Sequence, residues 1–94
     1  MITLTAKLTA KAEKLDEVKQ GLHNLVSLTT KEEGCVQYVL HQDVSNPNVF
    51  VFYEQFQDQT AFEFHSNASY IKEFFGKAEE LLAVPAELTF LMKL

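Results

Sequence analysis

The 94-residue sequence contains no arginine, no tryptophan and a single cysteine. One cysteine excludes an intrachain disulfide and fits a reducing compartment. All eight cationic side chains are lysines, and the formal net charge is −5. The chain therefore offers neither the basic face that nucleic-acid binding requires nor the guanidinium that best clamps a phosphate. We expect no nucleic-acid partner.

Long apolar runs are missing too. No segment approaches the ~20 apolar residues of a membrane-spanning helix, and residues 1–14 lack the uninterrupted apolar stretch of a signal peptide. We expect a cytoplasmic protein with no membrane association. Glycine-rich phosphate loops, HExxH motifs and paired CxxC motifs are also absent, so the sequence predicts neither a metal nor a tightly held cofactor.

Hydrophobic periodicity predicts one α+β domain over residues 1–94. Apolar residues alternate in the strands and recur at steps of three and four in the helices. The predicted strands are Met1–Leu8, Cys35–Gln42, Val49–Phe56 and Leu88–Leu94, and the predicted helices are Lys11–Lys31, Asp58–Ser66 and Tyr70–Leu82. This β-α-β-β-α-β order is typical of the ferredoxin-like fold, whose sheet is antiparallel.

Glycine and aspartate mark several local features. Gly34 follows the first helix and suits a left-handed C-cap, whereas Gly21 lies inside that helix and indicates close packing. Asp58 is a predicted N-cap. The segment from Asp43 to Asn48 has the aspartate, asparagines and proline of a turn between two paired strands.

The third predicted strand, Val49–Phe56, is apolar on nearly both faces. A strand of this kind must be covered on both sides. The helices of the chain cover one side, and the sheet of a second copy is the simplest cover for the other. The sequence therefore predicts a homodimer with a self-complementary contact between sheets.

Two ionisable residues are the main candidates for chemistry. His65 shares a helix face with Ala61 and Phe62, so it points inward, either as a proton carrier or as a hydrogen-bonded core residue. Glu54 lies on a strand face with three phenylalanines, where lost solvation raises the pKa of a carboxyl. The alternative for Glu54 is a charge paired with a lysine or backbone amides at the dimer contact.

Other aromatic and imidazole side chains could surround the same substrate. The predicted substrate-binding residues, besides Glu54, are His41, Phe52, Tyr53, Phe62, Tyr70 and Phe74. The tyrosines and His41 would position substrate oxygens, and the phenylalanines would wall the cavity.

The central stretch resembles the antibiotic biosynthesis monooxygenase (ABM) family. The residues that carry the resemblance are Glu33, Gly34, Cys35, Tyr38, Asp43, Pro47, Phe50, Glu54, Phe56, Asp58, His65, Ser69 and Phe74. The family pattern is roughly E-G-C-x-x-Y, a D…P turn, E-x-W-x-D at a strand end, and then a histidine. This chain has Phe56 at the tryptophan position.

The resemblance implies a dimeric α+β barrel with a pocket between sheet and helices in each protomer. Some members of the family are cofactor-independent monooxygenases of anthrones or quinols, in which a deprotonated substrate reacts with O₂. Others isomerise a phosphorylated sugar or degrade haem. By resemblance, His65 is the catalytic residue, and Glu54 matches the strand glutamate of the family.

We therefore predict a cofactor-independent monooxygenase that acts on a small aromatic or quinol-like substrate, with molecular oxygen as co-substrate. One alternative is an acid–base isomerase of a small carbonyl compound. Another is a dimer that binds a small ligand without catalysis.

Overall fold

The computed structural model describes residues 1–94, which form four strands and four helices. The strands are β1 (Ile2–Thr9), β2 (Cys35–Gln42), β3 (Val49–Phe56) and β4 (Glu87–Leu91), and the helices are α1 (Leu15–Thr29), α2 (Gln59–Ser66), α3 (Ser69–Gly76) and α4 (Ala78–Leu81). No helix has both the length and the apolar character needed to cross a membrane.

The strands form one antiparallel sheet in the order β2-β3-β1-β4. The two strands that flank α1 are separated by β3, as in the split β-α-β arrangement. This confirms the predicted fold class. The central strands β1 and β3 pair from Ile2 with Phe56 to Thr9 with Val49.

The core lies between one face of this sheet and the helices. Side chains alternate along a strand, so β1 directs Leu4, Ala6 and Leu8 to the core while its threonines face the other side. Phe50 and Phe52 extend the same apolar layer on β3. We call the opposite side, which no helix covers, the open face; Thr5, Val51 and Tyr53 are among its residues.

Several predicted element ends are wrong. The helix expected from Lys11 begins at Leu15, after a short 3₁₀ turn at Ala12–Lys14, and ends at Thr29. The helix expected over Tyr70–Leu82 is two helices that meet at Lys77. The last strand ends at Leu91 rather than Leu94 because only Thr3 to Lys7 of β1 pair with it.

The predicted left-handed C-cap at Gly34 is also wrong, since no glycine has a positive φ. Position 34 requires glycine for a different reason: α2 leaves no room for a side chain there. A Cβ built on it would lie 2.3 Å from the Cβ of Ala61 on α2. The helix α2 therefore approaches the start of β2 more closely than any other residue at position 34 would allow.

Other local predictions are confirmed. A Cβ on Gly21 would lie 3.0 Å from the ring of Phe74, so this glycine lets α3 pack tightly on α1. The Asp58 carboxylate accepts a hydrogen bond of 2.8 Å from the backbone N–H of Ala61, which caps α2. Asp43 accepts one of 2.7 Å from the N–H of Ser45 in the predicted turn.

We expect Gly34→Ala to lower the free energy of unfolding by at least 1–3 kcal/mol, roughly the cost of overpacking a core. Gly76→Ala is the control: nothing lies within 4 Å of its Cβ position, and alanine there should stabilise the protein by up to about 1 kcal/mol. Urea denaturation of both variants measures the difference.

The double variant Gly34→Ala/Ala61→Gly isolates the contact, because it restores the space. Recovery of most of the lost stability is expected after allowing for the cost of a glycine in α2, about 1 kcal/mol. A Gly34→Ala protein as stable as the wild type would contradict the assignment.

Candidate active site

A cavity of about 360 Å³ lies between the sheet and the helices α2 and α3. Its wall is mostly apolar, and four of the predicted substrate-contacting side chains line it: Phe52, Glu54, Phe62 and His65. Tyr38 contributes from β2, and Ser66 and Lys72 are exposed lining residues. The volume is at the small end of the range of about 300–1,000 Å³ for small-molecule sites.

His65 lies in the last turn of α2 and is only 5% exposed. Aromatic rings from β2 and β3 pack against its imidazole. Phe56 lies across it with ring centroids 4.7 Å apart, and Tyr38 contacts it edge-on at 5.3 Å. These contacts fix the plane of the imidazole and exclude water from it.

A buried carboxylate binds the inner nitrogen of His65. The Nδ1 atom lies 3.1 Å from Oε2 of Glu32, and the hydroxyl of Tyr70 donates to the same oxygen. Because a carboxylate only accepts hydrogen bonds, Nδ1 carries the proton in this pairing and Nε2 carries the lone pair. The lone pair of His65 is thus directed away from Glu32.

The environment keeps His65 uncharged at neutral pH. Burial lowers the pKa of the imidazole below its ordinary value, and this effect outweighs the hydrogen bond to Glu32 and its charge, which raise the pKa. A neutral imidazole with a free Nε2 can accept a proton from a ligand in the cavity.

Glu54 is a buried carboxyl without a conventional partner. Its side chain is 6% exposed, and the nearest charged or imidazole nitrogen is Nε2 of His65, at 3.9 Å from Oε1. It faces the cavity, and neither a lysine nor a backbone amide pairs with it, so the alternative of a paired charge at the dimer contact is wrong. Burial and the charge of Glu32 raise the pKa of Glu54 to about 7.

The structure does not bring all the predicted residues to this cavity. His41 and Tyr53 lie on the open face, because strand alternation directs them away from Phe52 and Glu54. Tyr70 touches the site only through Glu32. Phe74 lines a separate recess of about 310 Å³ between α1 and α3.

Glu32 is the site residue that sequence reasoning missed. It is 9% exposed and lies between α1 and β2, where glutamates are usually solvated. The one feature of the sequence that could have indicated Glu32 is its position two residues before Gly34. The absence of a side chain at Gly34 lets α2 pack close to this segment. No group of three or more His, Cys, Asp or Glu side chains is arranged as a metal site.

The family model named Antibiotic biosynthesis monooxygenase matches residues 1–77, which include all the cavity-lining residues named above. The chain belongs to the antibiotic biosynthesis monooxygenase family. Glu54 and His65, two of the residues on which the resemblance to the ABM pattern was based, lie on one wall of this cavity. Phe56 packs against the histidine.

Similar proteins support the ABM assignment. The chain is 35% identical over 88 residues to a Bacillus subtilis protein named "Putative monooxygenase YcnE", and the match covers 94% of this chain and 93% of that one. The crystal structure of PA3566 from Pseudomonas aeruginosa has a TM-score of 0.92 at 33% identity and covers 99% and 93% of the two chains. A conserved Methanosarcina mazei Go1 protein gives 0.89 at 30% identity, with 98% and 91% covered.

The raised pKa of Glu54 predicts a pH-dependent stability. The carboxyl shifts from 4.5 to about 7 on folding, so the native state holds the proton more tightly than the unfolded chain. The Glu54 contribution therefore destabilises the protein progressively as the pH rises from about 5 to about 8. We expect Glu54→Gln to remove this effect, which amounts to about 1–3 kcal/mol at pH 8.

Urea denaturation of both proteins between pH 5 and pH 8 measures this difference. The lowered pKa of His65 acts in the opposite sense, because it reduces stability as the pH falls below 6.5. It is present in both proteins and largely cancels. Glu63→Gln, on the exposed side of α2, should follow the wild type. Parallel curves for Glu54→Gln and the wild type would show that Glu54 ionises normally.

Proposed function

We propose that this protein is a cofactor-independent monooxygenase that acts on a small aromatic or quinol-like substrate. The observation that carries the proposal is the free Nε2 of a neutral, buried His65 at the wall of an apolar cavity. Such a nitrogen is a suitable general base for a phenolic O–H group. The ABM family and the similarity to YcnE support oxygenation as the chemistry.

The cavity suits a flat, largely apolar substrate. Its lining includes the rings of Tyr38, Phe52 and Phe62, which offer faces and edges for aromatic contact. In a site that excludes water, a fixed hydrogen bond to a developing phenolate oxygen is more effective than in solution. Binding and deprotonation are therefore favoured by the same surroundings.

The proposed reaction is balanced without a further reductant. His65 takes a proton from the quinol, and the resulting phenolate transfers an electron to O₂. The substrate radical and superoxide then combine to form a C–O bond and a peroxide anion. This anion takes the proton back from His65, which gives a hydroperoxide and restores the free Nε2. Loss of water from the peroxide leaves a carbonyl at that carbon, so a quinol and O₂ give a hydroxyquinone and water.

Glu32 acts through His65 as a positioning residue. Its carboxylate holds the proton on Nδ1 and stabilises the imidazolium that forms when Nε2 accepts a second proton. Tyr70 fixes the carboxylate in turn. Neither side chain lines the cavity.

An acid–base isomerase of a small carbonyl compound is the second candidate. One observation favours it: Nε2 of His65 and the carboxyl of Glu54 lie 3.9 Å apart on one wall. A proton acceptor next to a proton donor is the arrangement that interconverts a carbonyl and an enediol. This reaction does not consume oxygen, so anaerobic turnover distinguishes it from oxygenation.

We expect oxygen uptake with a panel of hydroquinone, 1,4-naphthoquinol, catechol and anthrone, after subtraction of uncatalysed oxidation. His65→Ala should lower kcat by about 100-fold or more, because it removes the general base. Glu32→Gln should lower kcat with little change in KM, since it disturbs the protonation of His65 and not the cavity wall. An oxygen electrode measures both.

His23→Ala is the matched control, because His23 is an exposed histidine on α1. Its activity should equal that of the wild type. Uptake that is the same with His65→Ala would exclude His65 as the base. No uptake by the wild type with any compound would contradict the monooxygenase, and an anaerobic screen of hydroxyketones would then test the isomerase.

We also propose that the protein works as a homodimer through the open face. Val51 and Tyr53 at its centre and Thr5, the partner of Tyr53, are uncharged and only half-buried within one chain. The exposed Lys7, which lies opposite Val51, is a charge next to this uncharged patch. Half-exposed apolar and aromatic side chains at the centre of a sheet face are typical of a surface that binds another protein. A second copy can cover it by a two-fold contact, and the cavities on the far side of each sheet would stay separate.

A lysine at the centre of this face should break the dimer. We expect the wild type to have twice the chain mass of 10.7 kDa in light scattering after size-exclusion chromatography, and Tyr53→Lys to shift towards the monomer, since the new charges would face each other. Ser27→Lys on the exposed side of α1 should leave the mass unchanged. A monomeric wild type at micromolar concentration would contradict the proposal.

A further inference from the structure

We propose that Glu54 is the general acid of the oxygenation, and that its carboxyl proton goes to the distal oxygen of the substrate peroxide, which leaves as water. This inference rests on the proposed monooxygenase function. It assigns a chemical role to the second buried carboxyl of the site. The base removes protons from the substrate, and a separate acid is needed for the step that breaks the O–O bond.

The geometry of Glu54 is not that of a structural ion pair. Its side chain is 94% buried, no lysine lies within 4 Å, and no hydrogen bond from the protein reaches it. It lines the cavity beside His65. A carboxyl left without partners in an apolar wall is a costly arrangement. The cost is offset when a bound molecule supplies the missing hydrogen-bond acceptor.

The surrounding groups keep the proton on Glu54. Tyr38 faces it from β2, His65 faces it from α2, and Glu32 adds a negative charge from the loop before β2. Lys72, from α3, lines the same cavity but forms no ion pair with it. Burial and the charge of Glu32 raise the pKa of Glu54 to about 7, so much of the protein carries a neutral acid there at neutral pH.

The elimination step balances with these groups alone. The peroxide carbon carries a C–H bond and an O–OH group. His65 removes the proton of the C–H bond, whose electron pair forms the second bond of the new carbonyl while the O–O bond breaks. The departing oxygen takes the proton of Glu54 and leaves as water, so the products are the carbonyl compound, the Glu54 carboxylate and the His65 imidazolium.

The resting state is then restored within the site. The imidazolium proton on Nε2 passes to the Glu54 carboxylate, whose Oε1 lies 3.9 Å away before any adjustment of the side chains. One proton thus moves from His65 to Glu54 in each turnover. His65 can act as the base and Glu54 as the acid at the same pH, because the imidazole is neutral and the carboxyl is protonated there.

Glu54→Gln tests the assignment, because the amide keeps the shape and a hydrogen-bond donor but has no acidic proton. With the quinol or anthrone that the wild type accepts, oxygen uptake should persist. The yield of carbonyl product per O₂ should fall by about 100-fold, and the oxygen should appear as peroxide in a ferrous–xylenol orange assay. Glu54→Asp, which keeps the acid, should restore product formation in part.

The exposed Glu13→Gln variant is the control for a lost carboxylate and should give the wild-type ratio. In the wild type, the product-to-oxygen ratio should fall as the pH rises above about 7, and this profile is informative even if a variant fails to fold. Oxygen uptake by the wild type together with an unchanged ratio in Glu54→Gln would overturn the acid and leave the monooxygenase intact. No uptake by the wild type would overturn both.

Discussion

The hydrogen bond between Glu32 and His65 joins two buried ionisable groups that are 33 residues apart in the sequence. Neither group could remain buried alone at low cost, because a buried carboxylate needs donors and a buried imidazole needs a partner for its N–H. Tyr70 supplies the second donor to Glu32. The position of α2 against the start of β2, and the direction of the free imidazole nitrogen, both depend on this bond.

A steric contact supports the bond. Gly34 lies two residues after Glu32, and Ala61 lies one helical turn before His65 on the same face of α2. Since the missing side chain of Gly34 lets Ala61 approach, the helix comes near enough for its histidine to meet the carboxylate. The glycine is therefore part of the geometry of the site, although it touches neither ionisable group.

The third strand divides the molecule into two regions with different roles. Its alternate residues Phe52 and Glu54 face the cavity, while Val51 and Tyr53 face away from the helices. One face of β3 thus provides an apolar wall in which the pKa of a carboxyl rises, and the other carries Val51 and Tyr53 on the open face, the surface proposed for the dimer. Both follow from the apolar character that made this strand conspicuous in the sequence.

The sequence by itself determined the order of the elements, the antiparallel sheet and the inward direction of His65, because these follow from local periodicity, turn residues and the cap at Asp58. Periodicity could not place Glu32 beside His65, since that contact joins distant segments. Nor could periodicity show that Tyr53 lies outside the cavity, because it does not reveal which face of β3 the helices cover. Tertiary packing alone decided these points, and with them the protonation of His65 and Glu54, because burial and neighbouring charge are properties of the folded chain.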